Sequence, residues 1–185
     1  MILQMFRATI TAGIFSMGFS GGLMAQGAGA FGFKATKIGG KEIDLSKEYA
    51  GKVLLIANTA SKCGYTPQLG GLQTQHEAFS AKGLVVLAFP SNDFKQELSD
   101  EGAIAELCDL KYKAKYAVFR PIHVNGPEAH PLFKYLTDNA ADKGDVKWNF
   151  EKFLVGKDGK VVARFRSNVK PTDSEVTKAI ELALK

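Results

Sequence analysis

Residues 53–67 read VLLIANTASKCGYTP, and this stretch decides the fold of the chain. It begins with a short apolar run that is typical of a buried parallel strand. Thr66 and Pro67 then form the pattern of a helix N-cap followed by proline at the first helical position. The stretch therefore predicts a strand that passes through a turn into a helix, with Cys63 at the junction.

Cys63 is a candidate reactive residue because of that position. Unpaired N–H groups and the positive end of a helix dipole favour a thiolate, as does the neighbouring Lys62, and the thiolate is the reactive form of cysteine. A single cysteine after a strand is also explained as a small buried hydrophobic residue. These residues alone leave both interpretations open.

The rest of the chain alternates strands with helices. After Cys63, the residues Leu69, Leu72, His76 and Phe79 recur at helical spacing, and His76 is expected to pack against its neighbours. Further strands are predicted at 84–89, 118–124, 148–155 and 161–165, and further helices at 103–112, from 131, and at 172–184. The last two strands form a hairpin. This order predicts an α/β, thioredoxin-like fold in which helices flank a central mixed β-sheet.

Residues 1–30 differ in composition from the remainder of the chain. Arg7 is the only charged residue before Lys34, and the residues that follow Arg7 are almost all small or apolar. This pattern predicts a secretory signal peptide, cleaved after Ala25 or after Ala30, and hence export, with a periplasmic location expected. An uncleaved membrane anchor is the alternative, because the apolar run approaches the length that spans a bilayer.

Residues 31–185 are predicted to form one domain, which suits a chain of 185 residues. Without residues 1–30 the formal charge is one unit below the +5 of the whole chain. The lysines are scattered rather than grouped, which argues against nucleic-acid binding. The two cysteines, Cys63 and Cys108, are compatible with a structural disulfide or with redox chemistry, and their spacing does not decide between these.

Three separated segments together resemble the glutathione peroxidase family. Residues 58–66, NTASKCGYT, are similar to the family's peroxidatic motif, with cysteine where some members have selenocysteine. Residues 87–97, LAFPSNDFKQE, are similar to its FPxNxF segment and the glutamine that follows. Residues 147–155, KWNFEKFLV, are similar to its WNFxKFLV block. The similarity extends from about Phe31 to the C-terminus and implies a thioredoxin-like peroxidase domain.

The resemblance assigns four catalytic residues, Cys63, Gln96, Trp148 and Asn149. The O–O bond of a peroxide is weak, so its reduction needs a thiolate nucleophile together with donors that orient the peroxide and stabilise the departing oxygen. The two side-chain amides and the indole N–H are neutral donors at pH 7. The segment around Gln96 is one residue shorter than the usual form in the family.

The resemblance also suggests a resolving role for Cys108. Thioredoxin-dependent members of the family place a second cysteine on the helix after the second motif, and Cys108 lies in that region about one residue out of register. A shift of one residue along a helix rotates the side-chain direction by about 100° around the helix axis. Cys108 is therefore expected to reach Cys63 only if the helix around residues 103–112 unwinds. The alternative is a buried, inert thiol.

These assignments imply a thiol peroxidase that reduces hydrogen peroxide and organic hydroperoxides without a cofactor or a metal ion. A thioredoxin-like dithiol protein is the expected reductant, and glutathione, in a one-cysteine mechanism, is the alternative. Residues 137–145 form a short connection without the insertion that builds the subunit interface of tetrameric members, which implies a monomer.

Three other functions are known for cysteines of this kind. A redox sensor that passes oxidation to a partner protein would use Cys63 and Cys108 in the same way. A thiol-disulfide reductase is disfavoured, because residues 63–66, CGYT, lack the second cysteine of a CxxC pair. A copper chaperone is disfavoured because no cysteine pair accompanies the three histidines, which are His76, His123 and His130.

Overall fold

The computed structural model describes residues 28–185, which form a five-stranded sheet flanked by helices. The expectations of a signal peptide or an anchor concern residues that lie almost wholly outside this part of the chain. The strands are β1 Lys34–Thr36, β2 Glu42–Asp44, β3 Val53–Thr59, β4 Leu84–Pro90, β5 Ala117–Val118, β6 Lys152–Val155 and β7 Val161–Phe165. The helices are α1 Leu45–Tyr49, α2 Gln68–Phe79, α3 Glu101–Glu106, α4 Pro131–Asn139 and α5 Ser174–Leu184.

The main sheet has the strand order β5-β4-β3-β6-β7, and β1 and β2 form a separate hairpin. The central strand β3 pairs in parallel with β4 and in antiparallel with β6. On the β4 side of the sheet, β4 and β5 are also parallel, and on the β6 side, β6 and β7 are also antiparallel. The prediction of a central mixed sheet flanked by helices is confirmed.

All seven residues of β3 are buried, because helices cover both faces of the sheet. Leu54 and Ile56 pack on one face with apolar residues of α1 and α4. Leu55 and Ala57 point to the other face and pack with residues of α2, α3 and α5. The continuous apolar run of this strand therefore contributes side chains to both cores of the protein. Cys63 lies in the turn that follows the carboxyl end of the strand.

The turn after β3 differs from the prediction, since α2 begins at Gln68 and Thr66 does not cap it. The Thr66 hydroxyl instead accepts the backbone N–H of Cys63 at 3.0 Å. The same hydroxyl lies 2.9 Å from the carbonyl of Ala60 and 2.7 Å from that of Cys63. Thr66 therefore stabilises the turn that contains the cysteine rather than the helix that follows it.

Two predicted strands are shorter than expected. The strand predicted at 118–124 is limited to β5 and one isolated bridge between Phe119 and Lys37. Pro121, which has no N–H to donate, follows two residues after Phe119. The strand predicted from Trp148 begins only at Lys152, because Phe150 has a φ of 66°, outside the range of extended backbone.

The helix predicted at 103–112 is divided. The regular part, α3, begins after Asp100, whose carboxylate accepts the N–H of Ala103 at 2.7 Å. A single π-helical turn, Leu107–Lys111, then contains Cys108. Such turns interrupt the regular ladder of backbone hydrogen bonds and are common at functional sites.

The described chain begins with a 3₁₀ turn, Gly29–Gly32, that packs on the hairpin of β6 and β7. Ala30 is fully buried, and its N–H donates to the carbonyl of Gly159 at 2.8 Å. Gly29 has a φ of 57°, and a Cβ there would lie 2.3 Å from the same oxygen. Among residues 28–185, no helix is long and apolar enough to cross a membrane.

Candidate active site

Cys63 lies in a tight turn at the carboxyl end of β3. Its side chain is largely buried, with 8% of the residue exposed. The backbone N–H of Tyr65 donates to the Cys63 Sγ at 3.4 Å. A backbone N–H thus faces the sulfur that the resemblance assigns as the nucleophile.

The second motif lies directly against this turn. The carbonyl of Gln96 accepts the N–H of Lys62 at 2.8 Å, and the Glu97 carboxylate accepts the N–H of Ser61 at 3.0 Å. Glu97 is buried, and this burial raises its pKa above the usual range. The backbone turns sharply at Lys95, which has a φ of 61°. Residues 95–97 thus hold the cysteine turn from one side.

The third motif, residues 147–155, lies against the second motif although it is distant in the chain. The Nδ2 group of Asn149 donates to the Gln96 Oε1 at 3.0 Å. Asn149 is fully buried, and its Oδ1 has no hydrogen-bond partner within residues 28–185. Trp148 is 40% exposed, and its ring lies 5.1 Å from that of Phe94. The structure therefore brings Gln96, Trp148 and Asn149 together beside the turn that contains Cys63.

Asn58, near the end of β3, holds the turn that contains Trp148 and Asn149. Its Nδ2 donates to the Trp148 carbonyl at 3.1 Å, and its Oδ1 accepts the N–H of Glu151 at 2.9 Å. Its backbone carbonyl accepts the N–H of Phe150 at 2.7 Å. Asn58 has no role among the sequence-based predictions, although a polar residue within a wholly buried strand indicates an amide with hydrogen-bond partners.

The turn itself contains strain and a buried ion cluster. Phe150 has left-handed backbone, which costs a bulky residue about 1–3 kcal/mol and persists only where the surroundings impose it. Next to it, Glu151 is fully buried and lies 2.7 Å from Arg164 and 2.9 Å from Arg166. The Glu151 carboxylate also accepts the N–H of Lys147 at 2.6 Å. The ion cluster thus fixes the backbone on both sides of Trp148 and Asn149.

Cys108 lies apart from these side chains in the hydrogen-bond network. It is a free thiol, as is Cys63, and only 4% of the residue is exposed. Burial, and to a smaller extent the charge of Glu97, raises the pKa of the Cys108 thiol to about 11. Cys108 is therefore protonated at neutral pH. Both cysteines belong to the apolar core on the same face of the sheet.

The segment around Cys108 has few fully buried residues, and Leu107, Tyr112 and Ala114 pack only partly buried against the core. Between Glu101 and Lys115, the only buried residues are Ile104 and Cys108. Leu110, in the π-helical turn, is 58% exposed. This is the arrangement expected of a segment that opens locally, since few buried contacts hold it.

The surroundings of the site combine cations with exposed aromatic rings. Lys62, Lys95 and Lys147 each adjoin one of the assigned side chains in sequence, and all three are exposed. None of them forms an ion pair with a carboxylate in the described part of the chain. Tyr65 is 36% exposed beside Cys63. No group of three or more His, Cys, Asp or Glu side chains within residues 28–185 is placed to hold a metal ion.

A pocket of about 310 Å³ opens beside the cysteine turn. One wall consists of residues 64–71, from the turn and the start of α2, and the other of residues 168–172. Between them, Gly71 and Pro171 are in close contact, since a Cβ on Gly71 would lie 3.3 Å from the proline ring.

Comparison with known proteins places this chain among peroxidases. The family model for glutathione peroxidase matches residues 30–137. The chain is 46% identical over 154 residues to a hydroperoxy fatty acid reductase of Synechocystis, with 77% of this chain and 89% of the relative covered. It is 38% identical to the crystal structure of Trgpx in its apo form, with a TM-score of 0.68 and coverage of 84% of this chain and 95% of that one.

The thioredoxin-like fold is confirmed by a more distant structure. A thiol:disulfide interchange protein of the thioredoxin family from Chlorobium tepidum superposes with a TM-score of 0.63 over 83% of this chain and 93% of that one. The two are only 14% identical, so this likeness concerns the fold.

Replacement of Asn58 by alanine tests whether this amide holds the site. The Asn58→Ala variant leaves the buried N–H of Glu151 and the carbonyl of Trp148 without partners, so we expect the free energy of unfolding to fall by about 2–4 kcal/mol. Because Trp148 is the single tryptophan, its fluorescence is expected to change in the folded variant. Urea denaturation and emission spectra measure both effects. The control is Asn139→Ala, an exposed amide that donates to the Tyr135 carbonyl at 2.9 Å. Equal stability of the two variants would contradict the role given to Asn58.

Proposed function

This chain belongs to the glutathione peroxidase family and is a peroxidase, and we propose that it reduces hydroperoxides through nucleophilic attack by Cys63. The observation that supports the assignment is the hydrogen bond from Asn149 to Gln96, which joins residues 53 positions apart in the chain beside the cysteine turn. A structural role for either amide would not require the two to meet there.

In the proposed reaction, the Cys63 thiolate attacks one oxygen of the peroxide. An S–O bond forms as the O–O bond breaks, and the departing oxygen takes a proton to leave as water or an alcohol. Cys63 becomes a sulfenic acid. Gln96, Trp148 and Asn149 donate to the thiolate and to the departing oxygen, and the unpartnered Oδ1 of Asn149 accepts an O–H of the substrate.

We further propose that Cys108 resolves this intermediate. Its thiol condenses with the sulfenic acid, so that an S–S bond forms and water leaves. A thiol with a pKa of about 11 is a poor nucleophile while it is buried, so the π-helical turn must open first. The sparse packing between Glu101 and Lys115 supports such opening.

The proposed reductant is a thioredoxin-like dithiol protein, which would reduce the disulfide by thiol exchange. The connection between α4 and β6 is short, and Trp148 and Tyr65 are exposed beside the cysteine. An open face of this kind, on a monomeric protein, suits docking of another protein. Glutathione, acting directly on oxidised Cys63, is the alternative.

We propose that the preferred organic substrates include fatty-acid hydroperoxides. The printed name of the Synechocystis relative describes such an activity for that protein. In this chain, exposed aromatic rings suit an apolar tail, and the unpaired Lys62, Lys95 and Lys147 suit a carboxylate.

The four assigned side chains are tested by single substitutions. Cys63→Ser is nearly isosteric and removes only the nucleophile, so peroxide consumption should disappear while the fold is retained. Gln96→Ala and Asn149→Ala should slow Cys63 oxidation by about 10- to 1,000-fold, the usual loss for one preorganised donor. Single-turnover peroxide consumption measures these rates, with Asn139→Ala as the matched amide control. Turnover by Cys63→Ser, or parental rates in both amide variants, would show that the assignment is wrong.

The role of Cys108 is tested by mass spectrometry and by turnover. One equivalent of peroxide should remove two hydrogens from the protein and yield a peptide that links Cys63 to Cys108. In Cys108→Ser, the first oxidation should be unchanged, whereas turnover with a thioredoxin-like reductant should collapse and over-oxidised Cys63 should accumulate. If Cys108→Ser turns over with glutathione as fast as the parent protein, the one-cysteine mechanism is correct.

The substrate proposal predicts a charge effect. The second-order rate constant for linoleic acid hydroperoxide should exceed that for its methyl ester by about threefold or more at low ionic strength, and the gap should shrink with added salt. Lys147→Gln should narrow the gap without altering the rate with hydrogen peroxide. Lys178→Gln, an exposed lysine on α5, is the control. Equal rate constants for acid and ester would contradict a carboxylate-binding role.

A further inference from the structure

Lys152 is the one lysine in the described part of the chain that is fully buried. It is the first residue of β6 and follows the turn that contains Trp148 and Asn149. Burial of a charged amine is costly unless hydrogen bonds replace the lost water. The contacts of Lys152 therefore indicate what the burial achieves.

The Lys152 ammonium joins three parts of the site. Its Nζ donates to the Phe150 carbonyl at 2.7 Å, within the turn of Trp148 and Asn149. It donates to the Gln68 Oε1 at 3.1 Å, at the start of α2. It also contacts the carbonyls of Arg166, at 3.0 Å, and Val169. These four oxygens exceed the three N–H groups of an ammonium, so every donor is occupied.

The same contacts hold both walls of the pocket beside Cys63. Gln68 belongs to one wall, and its Nε2 donates to the Ser167 carbonyl at 2.6 Å. Residues 168–172 form the other wall, and the Arg166 and Val169 carbonyls adjoin or lie within it. Lys152 thus fixes the orientation of the Gln68 amide and the path of the second wall together.

We propose that Lys152 is a positioning residue that holds the Trp148–Asn149 turn in register with the pocket beside Cys63. This inference rests on the proposed function of Cys63, Trp148 and Asn149. Lys152 acts through the Phe150 carbonyl and the Gln68 amide rather than on the peroxide. Its charge matters because a neutral amine has two N–H groups and a lone pair, and a lone pair facing a carbonyl is repelled.

The electrostatic surroundings place this change of charge within an accessible pH range. Burial lowers the pKa of Lys152 to about 8, and Glu151 on the preceding turn and Asp173 and Glu175 near the start of α5 oppose that effect. Arg166 and Lys170 are the cationic groups of the loop at 166–172, and the start of α2 meets Lys152 through the uncharged Gln68. Lys152 thus loses its charge as the pH rises through about 8.

The test compares the pH dependence of peroxide attack with the titration of Lys152. In the parent protein, the single-turnover rate constant for hydrogen peroxide should fall as the pH rises through about 8. Deprotonation of Cys63 can only raise this rate constant, so such a fall has another origin. The ¹³Cε resonance of Lys152, in protein with labelled lysine, should titrate with the same midpoint.

Substitution of Lys152 is the second part of the test. Lys152→Met has similar length and no donor, so the rate constant should be at least about tenfold lower below pH 8, and the alkaline fall should be absent. Lys178→Met is the control and should match the parent protein. If Lys152→Met does not fold, the coincidence of the two midpoints in the parent protein decides the question.

The possible failures are distinguishable. If Lys152 titrates without any change in the rate constant, or if folded Lys152→Met retains the parental rate and pH profile, the inference is wrong while the proposed function stands. If peroxide does not oxidise Cys63 at all, the proposed function fails and this inference fails with it.

Discussion

Four hydrogen bonds between Asn58 and the chain from Trp148 to Glu151 unite the site. Two of these bonds use the backbone of Asn58 and two use its side-chain amide. Asn58 therefore makes as many hydrogen bonds to the neighbouring segment as two backbone positions of a strand would make. The antiparallel pairing of β3 with β6 ends at the pair Ala57 and Lys152. The hydrogen bonds of Asn58 extend the contact to the preceding turn, in which the backbone of Phe150 is not extended. This is how the strand that leads to Cys63 and the turn that contains Trp148 and Asn149 remain adjacent.

The charges near the site fall into two groups with different roles. The side chains of Glu151, Lys152 and Arg164 are buried, and their hydrogen bonds and ion pairs are with one another, with Arg166, with the Gln68 amide or with backbone groups. They fix backbone and lie outside the set of groups assigned to contact peroxide. The assigned donors are neutral side chains that do not themselves titrate. The exposed lysines beside the site, by contrast, form no ion pair with a carboxylate in the described part of the chain.

The elements that the sequence predicted well are those with a strong local pattern. The buried run of β3, the hairpin of β6 and β7, and α4 with Pro131 at its start follow from apolar spacing and turn residues. The alternation from Trp148 to Val155 predicted too long a strand, because local pattern cannot show that Asn58, 90 residues away, holds Trp148 in a turn. Resemblance to a family identified the assigned side chains, but their supports, Asn58, Glu97 and Lys152, required the structure.

The packing of Gly29 and Ala30 on the hairpin bears on the predicted cleavage of a signal peptide. A leader peptidase acts on extended, accessible backbone. The peptide bond after Ala30 joins two buried residues, and the N–H of Ala30 is bound to Gly159. Cleavage at that bond must precede folding and removes this contact from the product. Cleavage after Ala25, the other predicted site, would impose no such order, because the product would keep the whole 3₁₀ turn and its contact with the hairpin.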